Sequence, residues 1–523
     1  MSFPKVAYQN LQSIVGPEYI SDDPAVCQAY LRGGEGVGMW DIGRRPPSCT
    51  VLPENAEQVQ IIIKLANRYK LPFIPISTFM IAFCSPTRPN TIMIDTKRMN
   101  KLEIDVKNMY AVVEPYVTYA ELQAEIMKYG LFVPPPLCGS QASVLANHLV
   151  AGLGQTCHRT GYGSRRILAM EWILPDGELV RTGSEAIPGG GYFWGEGPGP
   201  DLRGLVRGMF GPLGGTGFVT KMAVKLFSLP RCEPERKGIS PYSTFTLPPD
   251  HFAWYVIAYP TPEAAINGMY EIGKAEIAAA LMRSPNMWHD LRRAASRQEF
   301  WDRWNKTKVE AEKTRLNFIR VCLMGFASSK QLDYEERVLQ DIAAETGGNL
   351  RRVGQGGAGD FFQFGGAVCA WKATGAFISE KLTVESLDHQ LKLLKSALKV
   401  KREYIPELLI DDAEEAGWIL SYDFCHSGWG EQTSYHDYTP EDLAKAKEFE
   451  MKSLKHDLEM HAWPGLQMGW SHSLLGPEMC NYHLLMEKFR NAFDPNGVAN
   501  PPRFYISEEE KRHDISYPGG PGW

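Results

Sequence analysis

The sequence predicts an α+β protein. Strand-like and helix-like segments alternate over residues 45–230, the composition shifts after Pro230, and a second series of strands and helices then runs to about residue 470. At 523 residues the chain is long enough for two or three domains. With 44% hydrophobic and 22% charged residues it has the profile of a globular protein.

The elements follow in order. Asn55–Tyr69 reads as the first clear helix: Asn55 can cap the free amides, Gln58 follows three residues on, and Val59, Ile62, Ile63 and Ala66 fall on one face. Leu71–Ile76, Thr91–Asp95 and Tyr110–Glu114 read as strands, and Thr118 with Glu121 opens a second capped helix. Ile167–Leu174, the turn Pro175-Asp176-Gly177 and Glu178–Arg181 form a hairpin, and Val219–Phe227 closes a unit of the nucleotide-binding kind. Beyond Pro230, strands are expected at Phe252–Ala258, Phe318–Phe326, Leu408–Ile410 and Trp418–Phe424. Helices are expected from Thr261-Pro262-Glu263, over Lys330–Thr346, and from Thr439-Pro440-Glu441 to about Met460. These make a second α+β unit on one antiparallel sheet. The closing YPGGPGW has too little propensity for a core element.

Several function classes are disfavoured. Fifty-five basic against 61 acidic residues give a net charge of −6, and no long basic run occurs, so nucleic acid and membrane surfaces are poor partners. No apolar run approaches the ~20 residues of a membrane helix, and the N-terminus has no signal-peptide pattern. The ten cysteines form no CxxC pair, which argues against a zinc site or a disulfide framework and leaves cytoplasm as the expected location.

A set of short pieces carries a resemblance. Pro75-Ile76-Ser77-Thr78, Met93-Ile94-Asp95, Arg98-Met99-Asn100 and Val113-Glu114-Pro115 come first. Ser143-Val144-Leu145-Ala146-Asn147, Gly152-Leu153-Gly154 and Tyr162-Gly163 follow, then Leu174-Pro175-Asp176-Gly177 and Arg181-Thr182-Gly183. Trp194-Gly195-Glu196-Gly197-Pro198 and Gly217-Phe218-Val219-Thr220-Lys221 come next. Phe493-Asp494-Pro495-Asn496-Gly497 and Asn500-Pro501-Pro502-Arg503 end the series. Each piece is weak alone, and their order over residues 50–227 and 485–505 is specific. In that order the chain resembles the vanillyl-alcohol oxidase and 4-cresol dehydrogenase family of FAD-linked oxidases. The resemblance implies a PCMH-type (p-cresol methylhydroxylase) FAD-binding domain split in sequence: residues 1–230, a cap or substrate domain at 231–470, and a return to the FAD domain at 471–523.

The resemblance also implies the cofactor site. FAD phosphates would lie against the loop after Ile76, where backbone amides must approach closely. Here that loop, Ser77 to Ser85, has no glycine and carries Phe79, Met80, Ile81 and Phe83. These large apolar side chains are expected to be buried, filling an emptied phosphate site or turning away from bound phosphate. Ala146 and Tyr116 stand where the pattern has glycine. The cofactor-binding set is Ser77, Thr78, Phe79, Met80, Ser143, Asn147, Gly152, Gly154, Tyr162, Gly163, Gly217 and Val219; its glycines can equally serve plain turns.

The family's catalytic positions are altered. The Tyr-Arg pair that holds a phenolate falls on His461-Ala462, and the acid falls near Cys138 in a stretch from Phe132 to His148 without a carboxylate. The covalent flavin tether falls in Ala367–Trp371, which has neither Tyr nor His, so FAD is expected to be non-covalent. Arg503 matches its family counterpart and can present a cation to the substrate side. His461 and Arg503 are the catalytic candidates, with packing and a surface ion pair as their plain alternatives. D-lactate and glycolate dehydrogenases share this fold with a HxGDGNxH metal stretch; here Thr433 replaces the second histidine, so no metal is expected and His426, His436 and His461 read as solvated or packed.

Four coordinated losses point to a changed role. The expectation is a subunit of a hetero-oligomeric dehydrogenase or hydroxylase, with FAD non-covalent or lost, that works on a small molecule beside a flavin-bearing or electron-transfer subunit. Tyr192-Phe193-Trp194 and Tyr517–Trp523 are its candidate contacts. A self-sufficient FAD enzyme for a non-phenolic alcohol or hydroxy acid is the alternative, and a scaffold that kept only the fold is a third reading.

Overall fold

The computed structural model describes residues 3–31, 45–79, 85–136, 139–150, 152–191, 199–208, 213–230, 232–238, 244–314, 317–355, 372–374, 376–411, 417–462 and 482–501. Three larger sheets organise them. The first has four strands, in the order Ile20–Ser21, Cys49–Val51, Ile92–Asp95, Phe73–Ile76, with its inner pairs parallel. Parallel pairing needs a crossover, and the helix Ala56–Tyr69 supplies it. Asn55 accepts from the Gln58 amide at 2.9 Å, and Gln58 accepts in turn from the Glu54 amide. Val59, Ile62, Ile63 and Ala66 are buried against the sheet.

Two helices precede the one expected as first. Lys5–Val15 buries Ala7, Leu11 and Val15 at four-residue spacing, and Pro24–Ala29 is capped by Asp23. Lys5–Val15 needs no capping side chain, because its apolar stripe joins the same core.

The second sheet has five antiparallel strands, in the order Leu102–Asp105, Tyr110–Val113, Phe218–Lys225, Ile167–Ile173, Leu179–Arg181. The hairpin at Pro175-Asp176-Gly177 forms as expected, with the Gly177 amide donating to the Leu174 carbonyl. Thr118 and Glu121 make a reciprocal capping box at the helix Tyr119–Ile126.

The third sheet has seven antiparallel strands, in the order Asn349–Val353, Phe252–Ala258, Phe318–Met324, Ala280–Arg283, Trp418–Tyr422, Ser427–His436, Ala376–Glu385. Helices Pro262–Lys274, Ser329–Glu345 and Leu387–Lys401 bury one face of it. The other face carries Met282, Trp418, Leu420, Tyr422, Trp429 and Tyr435.

Two expectations fail here. Leu408–Ile410 is not a strand: the Leu408 and Leu409 amides both donate to the Tyr404 carbonyl, and their side chains pack on Val400 and Phe449. The strand from Trp418 stops at Tyr422 rather than Phe424, because Asp423, Phe424 and Cys425 all have positive φ, at 48°, 50° and 68°.

The chain returns to the first sheet near its end. The Phe73 amide donates to the Val498 carbonyl at 2.8 Å, and the Asn500 amide donates to the Phe73 carbonyl at 2.9 Å. Asp494 holds the turn by accepting from the Val498 and Ala499 amides.

Candidate functional site

A cavity of about 130 Å³ lies between the first and second sheets. Ser77 and Pro75 form one wall, Leu145 and Ala146 a second, and Gly217 and Val219 a third. That brings Ser77, Gly217 and Val219 of the expected cofactor set to one place.

Thr78 Oγ1 accepts from the Ser143 amide at 3.2 Å. Ser143 Oγ donates to the Pro115 carbonyl at 2.6 Å and accepts from the Ala146 amide, which starts the helix Val144–Val150. Asn147 accepts from the Tyr119 hydroxyl at 2.9 Å. Ser143 therefore links the loop after Ile76 to the helix behind the cavity.

Phe79 explains how that loop turns without glycine. Its φ is +51°, a conformation normally left to glycine, and its ring packs on Ile74, Ile76 and Met93. Met80, Ile81 and Phe83 lie outside the described residues.

Gly152 and Gly163 lie backbone against backbone, and a Cβ on either would fall inside contact distance of the other. Their lack of a side chain is explained by this mutual packing. A Cβ on Gly154 would meet the Pro135 carbonyl at 2.9 Å. Gly217, at φ +118°, sits on the cavity wall, where a Cβ would come within 2.7 Å of the Trp172 indole nitrogen.

Tyr162 marks a second region that the motifs did not reveal. Its ring stacks on Tyr422 at 5.9 Å, joining the glycine segment to the strand Trp418–Tyr422 of the third sheet. Cys157, Trp288, Trp418 and Trp429 complete this buried aromatic wall, and Val150 and Leu213 belong both to it and to the cavity. The hydroxyls of Tyr162 and Tyr422 are buried without a hydrogen-bond partner. Burial pushes the Tyr162 hydroxyl up to about 12 and raises that of Tyr422 well beyond its ordinary range. Both are therefore proton-holding donors at neutral pH, not bases. The period-2 spacing of Trp418, Leu420 and Tyr422 along one strand was the one sequence signal for this wall.

A latch holds the two regions together. The Asp423 amide donates to the Cys157 carbonyl at 3.1 Å and the Phe424 amide to the His158 carbonyl at 2.7 Å. Arg165 pairs with Asp423 at 2.5 Å, and Arg159 lies over the Phe326 ring while pairing with Glu335. His158 is fully buried, its Nε2 donating to the Ile277 carbonyl (2.9 Å) and its Nδ1 accepting from Ser421 Oγ (2.7 Å), and burial lowers it to about 4.

His461 is not among the described residues that line this cavity. His461 is exposed at the end of the helix Pro440–Glu459, with φ +49°, and its backbone meets Leu458 and Lys392. The helix-ending turn accounts for its position. His426 is exposed, and His436 is buried beside the Asp437 carbonyl. Arg503, Cys138 and Ala367–Trp371 lie outside the described residues, as do Tyr192-Phe193-Trp194 and Tyr517–Trp523.

Comparison with known proteins agrees with this arrangement. A family profile described as "FAD binding domain" matches residues 47–183, which supply the first two cavity walls. The 4-cresol dehydrogenase [hydroxylating] flavoprotein subunit of Pseudomonas putida is 32% identical over 194 residues, covering 35% of this chain and 36% of the relative. Over about a third of its length the chain is similar to this FAD-linked dehydrogenase subunit. The match over residues 47–183 makes FAD the cofactor of this unit. A D-lactate dehydrogenase of Archaeoglobus fulgidus is 24% identical over 298 residues, covering 56% of the chain and 57% of the relative. The chain spans between about a third and just over half of the length of such curated relatives. In fold, p-cresol methylhydroxylase with substrate bound superposes with a TM-score of 0.75 at 17% identity, covering 96% of each chain. The 4-ethylphenol oxidase of Gulosibacter chungangensis gives 0.73 at 18% identity, covering 96% of this chain and 98% of the other.

Three features of the site fit FAD. The loop after Ile76 presents backbone beside the Ser77 and Thr78 hydroxyls while Phe79 is anchored elsewhere. Gly217 keeps one wall free of side chain. Leu145 and Val219 offer apolar surface to a flat ring. The cavity is small against the ~300–1,000 Å³ of ligand pockets. Among the described residues, no helix is long and apolar enough to cross a membrane.

Proposed function

We propose that this FAD-linked oxidoreductase holds FAD non-covalently and serves as a subunit of a hetero-oligomeric dehydrogenase or hydroxylase in the cytoplasm. The observation that carries the reading is the cavity between the first two sheets, walled by Ser77, Ala146 and Gly217, whose lining residues Val150 and Leu213 also pack against the aromatic wall. The proposed organisation is a FAD unit of residues 1–230, a cap of 231–470 and a return at 471–523.

Bound FAD supplies a hydride acceptor for a small alcohol or hydroxy-acid substrate. The chain's own residues do the rest. Ser77 and Thr78 offer hydroxyls and amides to phosphate. Trp288, Trp418 and Trp429 exclude water. Tyr162 and Tyr422 keep their hydroxyl protons and can donate them in hydrogen bonds to a developing oxyanion. Support for a partner comes from the altered catalytic positions and from the Pseudomonas putida relative, which is itself a flavoprotein subunit. Its interface is expected to exceed ~1,000 Å².

The test is purification from the native host, with flavin absorbance and mass-detected size exclusion. A flavin-bearing complex with a second chain is expected. A monomer that oxidises a substrate unaided refutes the subunit role and favours the self-sufficient enzyme. A chain that takes up no FAD refutes the cofactor site.

A further inference from the structure

Arg166 is buried, and its guanidinium meets no carboxylate among the described residues. Nη2 donates to the Gly152 carbonyl at 3.1 Å, while Nε and Nη1 have no hydrogen-bond partner. A guanidinium keeps its charge in a protein, and a buried charge without a counter-charge costs several kcal/mol in general. A fold that retains one holds it for something that brings negative charge.

The surroundings say where that charge would sit. The Gly152 carbonyl also accepts from the Gly163 amide at 3.2 Å and faces Cys157 Sγ at 3.5 Å. Tyr162 immediately precedes Gly163, and its ring stacks on Tyr422. Arg166 thus meets the Gly152 carbonyl that holds the Gly163 amide, next in the chain to the Tyr162–Tyr422 stack, and among the described residues each of the three has donor atoms without a partner. Nothing in this trio is negatively charged: both phenols hold their protons. Val150 and Leu213 connect it to the cavity.

We infer that Arg166, with the hydroxyls of Tyr162 and Tyr422, forms a subsite for negative charge at the junction of the second and third sheets. Its ligand is an electron-rich ring or oxyanion, either the flavin ring when it gains charge or a carboxylate on a small aromatic substrate. The inference rests on the reading that the chain binds FAD. It supplies a cation to the redox site of a chain whose Tyr-Arg position reads His461-Ala462.

Two probes separate the sources, both used on the full chain loaded with FAD. Sulfite adds to a flavin ring through its own electron pair and leaves negative charge on that ring. Benzoate reports a carboxylate, by its effect on the flavin spectrum. Arg166→Met is expected to weaken at least one of them ten-fold or more, about 1.4 kcal/mol. Loss with sulfite assigns the flavin ring, and loss with benzoate assigns the substrate. Tyr422→Phe is expected to cost roughly three-fold with the same probe, and Arg166→Lys to restore most of the affinity.

A purely structural arginine makes a different prediction. The FAD-free Arg166→Met chain is expected to melt no earlier than the unaltered one, because an unpaired buried charge has been removed. Sulfite and benzoate affinities within two-fold of the original, with FAD retained, overturn the subsite. Should Arg166→Met fail to fold, Arg166→Lys and Tyr422→Phe decide by the same criterion. An unaltered chain without FAD refutes the proposed function. The subsite then falls too unless benzoate still changes the emission of the Trp288, Trp418 and Trp429 wall in an Arg166-dependent way.

Discussion

Replacing His158 by leucine tests the latch between the glycine segment and the third sheet. Nε2 must carry the ring proton, since only an N–H can serve the Ile277 carbonyl at 2.9 Å. Nδ1 then accepts from the Ser421 hydroxyl at 2.7 Å, and Ser421 Oγ accepts from the Cys425 amide at 3.1 Å. Leucine keeps much of the apolar contact that the ring makes edge-on with Phe424. It leaves the Ile277 carbonyl without this donor and the Ser421 hydroxyl without this acceptor, both in a fully buried site. Each such loss costs about 1–3 kcal/mol, so His158→Leu is expected to destabilise by about 2–5 kcal/mol. Urea unfolding followed by tryptophan emission reads the change directly. His158→Gln, which can offer one donor and one acceptor, is expected to lie between the two. A loss below about 0.5 kcal/mol for leucine, the size of an ordinary surface change, would refute the assignment of the hydrogen bonds.

Other expected outcomes follow from the same geometry. Burial holds His148 down to about 3 and His158 to about 4, against 6.5 when unfolded. Their contribution is complete above pH 6.5 and is lost as pH falls toward those values, so urea midpoints should drop between pH 6.5 and 4. Glu185 has the opposite sign: burial, then the Glu171 carboxylate, raises it from 4.5 to about 7. Its stabilisation is complete below pH 4.5 and is lost as pH rises through 7, so Glu185→Gln should gain about 1–2 kcal/mol at pH 8 and nothing at pH 4.5, a figure reduced for solvent screening. Gly217→Ala forces a Cβ toward Trp172 and Ile173 at φ +118°. It should cost about 2–4 kcal/mol in thermal or urea melts and weaken FAD retention, and an unchanged melt would contradict the packing. Acid precipitation should release the flavin into the supernatant, and yellow colour remaining with the denatured chain would disprove non-covalent attachment.

Legibility in the sequence followed the range of the interactions. The caps at Asn55 and Thr118 and the hairpin at Gly177 were readable because each is closed by residues a few positions apart. Leu408–Ile410 misled because an apolar triplet fits a strand or a packed turn equally well, and the Tyr404 carbonyl decided it. The glycines of the resemblance were found, but Gly152 and Gly163 answer first to each other. The loop after Ile76 carries large apolar residues in place of glycine, and one of them, Phe79, takes a positive φ and packs its ring on the apolar core. Arg166 and Tyr422 had no motif. They lie more than 250 positions apart in the chain, and only the latch at Cys157, His158 and Asp423 makes them neighbours.

The return of Val498–Asn500 to the strand Phe73–Ile76 has a consequence for synthesis. The first sheet's edge needs a partner that the ribosome adds last. At about 5–20 residues per second, Phe73 waits roughly 20–90 s for Asn500. During that interval Phe73, fully buried in the finished protein, has its backbone amide and carbonyl without the Val498 and Asn500 groups that later satisfy them. A nascent chain in this state presents an open strand edge to any other extended segment. Slow or interrupted translation should therefore raise the fraction lost to aggregation, and chaperones that cover strand edges should matter most for this chain while it is still on the ribosome.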